Sequence, residues 1–149
     1  MSSRHRPELV NSLETEVRKL IAGSILFNEK VAASVGLNGT DLQFINLLQL
    51  GVARTPGDLA KWSGLTTGGV TVALDRLERA GYIKRQPNPD DRRSTIIQPV
   101  EARLRQFQSI YKSKGDSLAA AMTAYNDREL ALILDFFRRT IAANAPHDK

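Results

Sequence analysis

The chain has 149 residues, 42% hydrophobic and 25% charged, which is long enough to bury a core without covalent staples and too apolar for a disordered chain. It has no cysteine, which excludes disulfides, thiolate metal sites and thiol redox sensing. Its two histidines, His5 and His147, lie near the ends, so no transition-metal site and no cofactor is expected. A formal net charge of +5 suits a polyanionic partner without requiring one.

No apolar run of signal-peptide type follows Met1 to Pro7, and the most apolar later stretch, residues 130–137, is interrupted by Asp135. A cytoplasmic protein is expected. The first helix is predicted over about residues 8–34. Leu9, Leu13, Val17, Leu20, Ser24, Phe27 and Val31 recur at spacings of four and three, giving the narrow seam of a helix that packs on another helix. Gly36 and Gly39 break it. Thr40 to Gln43 then reads as a capping box that opens a second helix, carrying Leu42, Ile45 and Leu48 and stopping near Gly51.

Thr55, Pro56 and Asp58 are a cap, a first-turn proline and a dipole-matched acid for a short third helix. It turns Leu59, Ala60 and Trp62 inward and ends at Gly64. Thr66 or Thr67 opens a fourth helix that runs to Arg79 and stops at Gly81. Two β-prone runs follow, residues 82–85 and 94–98, joined by a turn-rich, charged tip: a hairpin. Two helices complete the chain, one over about residues 100–125 and one from the capping box Asn126 to Glu129 as far as about Ala143.

Two short helices, a tight glycine turn between them and a charged hairpin after them make the winged helix-turn-helix order. On the second of those helices Val70, Ala73, Leu74 and Leu77 fall on one side and face the core. The opposite side presents Gly68, Val72, Asp75, Arg76 and Arg79, flanked by Thr67 and Thr71. In a major groove the small residues meet base edges and the arginines reach phosphates.

Gly68 and Gly69 are each unfavourable inside a helix by on the order of 1 kcal/mol relative to alanine. Either the backbone approaches DNA closely there, or the helix starts later and the glycines belong to the turn. Val72 points away from the core, either to touch a thymine methyl or as an ordinary exposed aliphatic side chain. In the wing, Lys84, Arg85, Arg92 and Arg93 outnumber Asp90 and Asp91, and the tip is placed to put an arginine into a minor groove, the alternative being a solvated turn. Asp91 is expected to orient the Arg93 guanidinium by a bidentate pair.

From Thr40 to Arg93 the sequence resembles the MarR family of bacterial regulators. The resemblance is carried by residues 65–83 (LTTGGVTVALDRLERAGYI) and by Asp91-Arg92-Arg93, the family's wing signature. Together with the helix face and the wing read above, it gives the expected DNA contacts, Thr55, Thr66, Thr67, Gly68, Gly69, Thr71, Val72, Arg76, Arg92 and Arg93, with Asp91 structural. It also implies a homodimer whose first and last helices intertwine, and release from DNA by a small aromatic or phenolic effector in a cleft that Asn28, Asn46, Trp62 and Tyr111 are candidates to line. The last helix supports dimerisation independently, because its apolar residues spread around roughly 200° of the wheel, wider than one small domain needs. Three positions depart from the family pattern. Val72 stands where many members carry arginine, Pro99-Val100 where Leu-Thr is usual, and Arg103 where glycine is common.

The expected fold is mainly α with a small β-hairpin wing. A single domain spans residues 1–149, with dimerisation helices over about 8–34 and 100–144 and a winged helix-turn-helix DNA-binding lobe over about 40–99. The expected function is sequence-specific binding of double-stranded DNA at an inverted repeat, as a repressor. A protein-interaction module of the same fold that has lost DNA binding is the alternative, and the basic wing argues against it. No Ser/His/Asp set, metal constellation or phosphate-cradling glycine loop with a lysine is present, so an enzyme is not expected.

Overall fold

The structure, a computed structural model, describes residues 5–146; His147 lies outside them. In chain order the elements are α1 (His5–Ser34), α2 (Gly39–Gln49), α3 (Pro56–Ser63), α4 (Thr67–Arg79), β1 (Ile83–Pro87), β2 (Thr95–Pro99), α5 (Glu101–Met122) and α6 (Asp127–Asn144). The fold is mainly helical, with one two-stranded antiparallel hairpin. Two compact units divide at Gln43 and Phe44. Among the described residues no single helix is long and apolar enough to cross a membrane.

In the first unit α1 extends back to His5, the first described residue and further than the periodicity suggests, and it accommodates Pro7, whose missing N–H costs nothing in a first turn. Only Val31 and Ala32 of α1 are buried, while Leu9, Leu13, Leu20, Ile21, Ile25 and Leu26 are exposed. The cap of α2 differs from the expected Thr40 box. Asn38 Oδ1 accepts from the Asp41 amide at 2.9 Å and Asp41 Oδ2 accepts from the Asn38 amide at 3.4 Å. The reciprocal pair therefore lies two residues earlier, with asparagine as cap and aspartate in the third helical position.

In the second unit Phe44, Ile45 and Leu48 of α2 are buried with Leu59 of α3, while Trp62 is only half-buried. Thr55 caps α3 by accepting from the Asp58 amide at 3.1 Å, and Asp58 Oδ2 accepts from the amides of Arg54 and Thr55, both at 2.9 Å. Burial pushes the Asp58 carboxyl up, but these hydrogen bonds prevail and hold it below its ordinary value. Gly64, at φ +69°, ends the helix in the left-handed region, where a side chain is strained. On α4, Val70, Ala73, Leu74 and Leu77 form the buried stripe that the sequence pattern predicts.

The hairpin pairs Ile83 with Pro99, Arg85 with Ile97 and Pro87 with Thr95, so β1 runs two residues past its expected end. It is tied down at two points. The Ile97 amide donates to the Arg54 carbonyl at 2.8 Å, and the Arg85 amide donates to Glu78 Oε1 at 2.9 Å.

The junction into α5, where the sequence departs from the family, is built around Tyr82. Val100 caps α5 without a side-chain hydrogen bond, and its amide donates instead to the Tyr82 carbonyl at 2.9 Å. The buried Tyr82 ring lies 5.8 Å from that of Phe107, its hydroxyl accepts from Gln106 Nε2 at 2.9 Å, and the Arg103 guanidinium covers it at 4.9 Å. Arg103 thus supplies a cation–π contact where glycine is usual.

α5 ends at Met122, short of Tyr125, and residues 123–125 form a hydrogen-bonded turn. The predicted capping box opens α6: Asn126 accepts from the Glu129 amide at 3.1 Å and Glu129 from the Asn126 amide at 2.9 Å. No residue of α6 is buried, although Leu132, Leu134, Phe136, Phe137 and Ile141 lie on it.

Candidate nucleic-acid interface

The candidate residues of α4 are positioned by its cap. Thr66 is the cap, accepting from the Gly69 amide at 3.2 Å, and the helix starts at Thr67. Gly68 and Gly69 are therefore helical, and the alternative that they belong to the turn is overturned. Neither has a left-handed backbone. A Cβ on Gly69 would approach Thr66 Oγ1 to 3.4 Å, whereas one on Gly68 would meet nothing nearer than Thr66 Oγ1 at 4.0 Å. Nothing within this chain requires glycine at residue 68.

Val72, on the face opposite the buried stripe, is 60% exposed. Thr71 flanks it, and its hydroxyl donates to the Thr67 carbonyl at 2.9 Å. Arg76 is half-buried and Arg79 exposed. Thr55 is half-buried, with its hydroxyl engaged as the cap of α3.

Sequence reasoning missed the fate of Arg85. Its guanidinium forks between two carboxylates of α4, Asp75 at 2.7 Å and Glu78 at 2.6 Å. Glu78 also receives the Arg85 amide, so it binds the strand at two points. Hydrogen bonds from the Arg85 amide and side chain, with its charge, hold the Glu78 carboxyl below its ordinary value. Burial works against the Arg85 charge, but Asp75 and Glu78 more than offset it. A signal was present: Asp75 and Glu78 are three apart on one helix face, and Arg85 shares the strand face of Ile83, which is buried.

With Arg85 committed, Lys84, Arg92 and Arg93 are the wing's open cations, exposed and in no ion pair among the described residues. Arg92 and Arg93 line a hollow of about 300 Å³ beside the strands, with Arg85 and Ser94. Asp91 departs from the expected guanidinium pair. Its Oδ1 accepts from the Arg93 backbone amide at 2.9 Å, which closes the turn and leaves both guanidiniums outward. The Asn88 amide donates to the Ser94 carbonyl at 3.0 Å and its Nδ2 to the Ser94 hydroxyl at 2.8 Å, so the tip is cross-linked internally.

Of the candidate effector residues, Asn46 and Tyr111 are joined by a side-chain hydrogen bond, and burial raises the Tyr111 phenol despite it. Trp62 is half-buried on α3 and Asn28 half-buried on α1, in the other unit.

A short capped helix, a glycine turn, a second helix with an open face and a basic, internally braced wing define a winged helix-turn-helix regulator. A family model described as the MarR family matches residues 35–94. The uncharacterized HTH-type transcriptional regulator YcgE of Bacillus subtilis (strain 168) is 36% identical over 137 residues, covering 91% of this chain and 89% of that protein. The HTH-type transcriptional repressor YetL of the same organism is 34% identical over 92 residues, 57% of this chain and 53% of that one. The crystal structure of the transcriptional regulator Tm0710 from Thermotoga maritima superimposes with a TM-score of 0.64 at 19% identity, covering 89% of this chain and 94% of that one. The chain belongs to the MarR family of transcriptional regulators and is not an enzyme.

Proposed function

We propose that this regulator binds double-stranded DNA sequence-specifically as a homodimer, with α4 in the major groove and the wing arginines in the adjacent minor groove. The observation that carries the reading is the pairing of an open α4 face, with Gly68 and Val72 uncovered, and a braced tip with two outward, unpaired arginines. Dimerisation by α1 and α6 is supported by their uncovered apolar residues, a surface that water disfavours. Two such lobes suit an inverted-repeat operator. Repression is supported by the name of the relative YetL. A small aromatic effector that favours a lobe spacing unsuited to DNA would release the complex, with the Asn46–Tyr111 pair and Trp62 as the polar and aromatic candidates to meet it. Such a protein works beside the chromosome, hence in the cytoplasm.

The wing is tested by Arg93→Ala. Loss of one phosphate or minor-groove contact is expected to weaken duplex binding and to lower the salt slope by about 1, with the melting temperature unchanged. An unaltered slope in a titration from low to high salt removes Arg93 from the interface. Gly68→Ala separates folding from binding. The open site admits a methyl group, so the fold should gain up to about 0.5–1 kcal/mol, while the methyl stands the backbone off the groove and lowers affinity about tenfold. Unchanged affinity in an anisotropy titration would mean that Gly68 does not approach DNA.

A further inference from the structure

Helices that read the major groove do so largely through arginine, lysine, asparagine or glutamine, whose paired donors and acceptors match base edges. α4 has none of these before Arg76. Its first two turns present threonines, two glycines and Val72. The Thr66 oxygen already accepts from the Gly69 amide, and the Thr71 hydroxyl hydrogen is directed at the Thr67 carbonyl. The hydroxyl of Thr67 offers a single rotating bond, which tells bases apart weakly. One turn on, the Asp75 carboxylate, an acceptor suited to a cytosine amino group, is held by Arg85 at 2.7 Å. What remains at the centre of the open face is the isopropyl group of Val72, 60% exposed, above a glycine pair that lets it approach closely.

Among base-edge features of the major groove, the one an aliphatic group recognises is the C5 methyl of thymine. On the proposed DNA-binding reading, we infer that the first two turns of α4 select the half-site by packing a thymine methyl against Val72. The clamp of Arg85 on Asp75 is part of the device, because it occupies Oδ1 and offsets the negative charge of an acceptor that would otherwise favour cytosine.

The test uses the full chain. Duplexes are selected from a random pool, and each thymine of the best-bound one is replaced in turn by deoxyuridine, which removes only the C5 methyl. At one thymine in each half-site the replacement is expected to weaken binding roughly threefold to tenfold. At that position 5-methylcytosine should bind better than cytosine. Val72→Ala, at an exposed site that leaves the fold intact, should bind the thymine and deoxyuridine duplexes alike. Selective binding indifferent to deoxyuridine at every position overturns the inference and leaves DNA recognition standing, as does a thymine preference that survives Val72→Ala. Failure to enrich any sequence overturns both.

Discussion

Arg85→Ala is expected to lower duplex affinity at least about tenfold and to reduce stability by about 1 kcal/mol, the scale of a partly exposed ion-pair network. The stability loss comes from removing the guanidinium that ties β1 to Asp75 and Glu78, while the amide of residue 85 still donates to Glu78. The affinity loss has a second source. Asp75 and Glu78, with side chains 50% and 39% exposed, would be left as uncompensated negative charge on the helix that approaches phosphates. Arg85→Lys should recover only part of either, because one ammonium cannot fork between two carboxylates. The clamp also has a pH signature. The folded Glu78 carboxyl titrates below its ordinary value, so its contribution is fully present above the ordinary carboxylate range and disappears as pH falls through the depressed value. Thermal melts of native and Arg85→Ala protein should converge in acid. An Arg85→Ala protein with native affinity would confine the clamp to folding.

If α6 joins two chains as proposed, Phe137→Glu combined with Ile141→Glu is expected to yield monomers and to lower operator affinity by roughly 100-fold or more, since one lobe then binds without its tethered partner. The two residues are one helical turn apart, and both are exposed within the single chain, so the charges cost the monomer little. In a dry interface between two chains the same charges have no partners and desolvation is severe. Sedimentation of the variant should report one chain at concentrations where the native protein reports two. A variant that remains dimeric would move assembly away from this face of α6.

Most of the fold is legible in the residues because local signals agree with tertiary ones. The buried stripe Val70, Ala73, Leu74 and Leu77, the cap at Thr55 and the box at Asn126/Glu129 are short-range patterns that the packed chain retains. The α2 cap was displaced because two competing capping pairs lie within six residues, and asparagine–aspartate prevailed over threonine–glutamine. At the candidate site, helix periodicity correctly brought Val72 to the surface. Side-chain partners chosen across elements were not legible. Arg85 looked like a wing cation until the hairpin placed it over Asp75 and Glu78. Asp91 has both a guanidinium and an amide of Arg93 within reach, and the tight turn selects the amide.

Hydroxyl-radical footprinting of the native protein on a selected duplex tests the central claim most directly. Two lobes that each seat α4 in a major groove and a wing in the flanking minor groove predict two symmetric protected patches, centred about one helical turn apart, roughly 10 base pairs. A single protected patch at saturating protein would contradict the account.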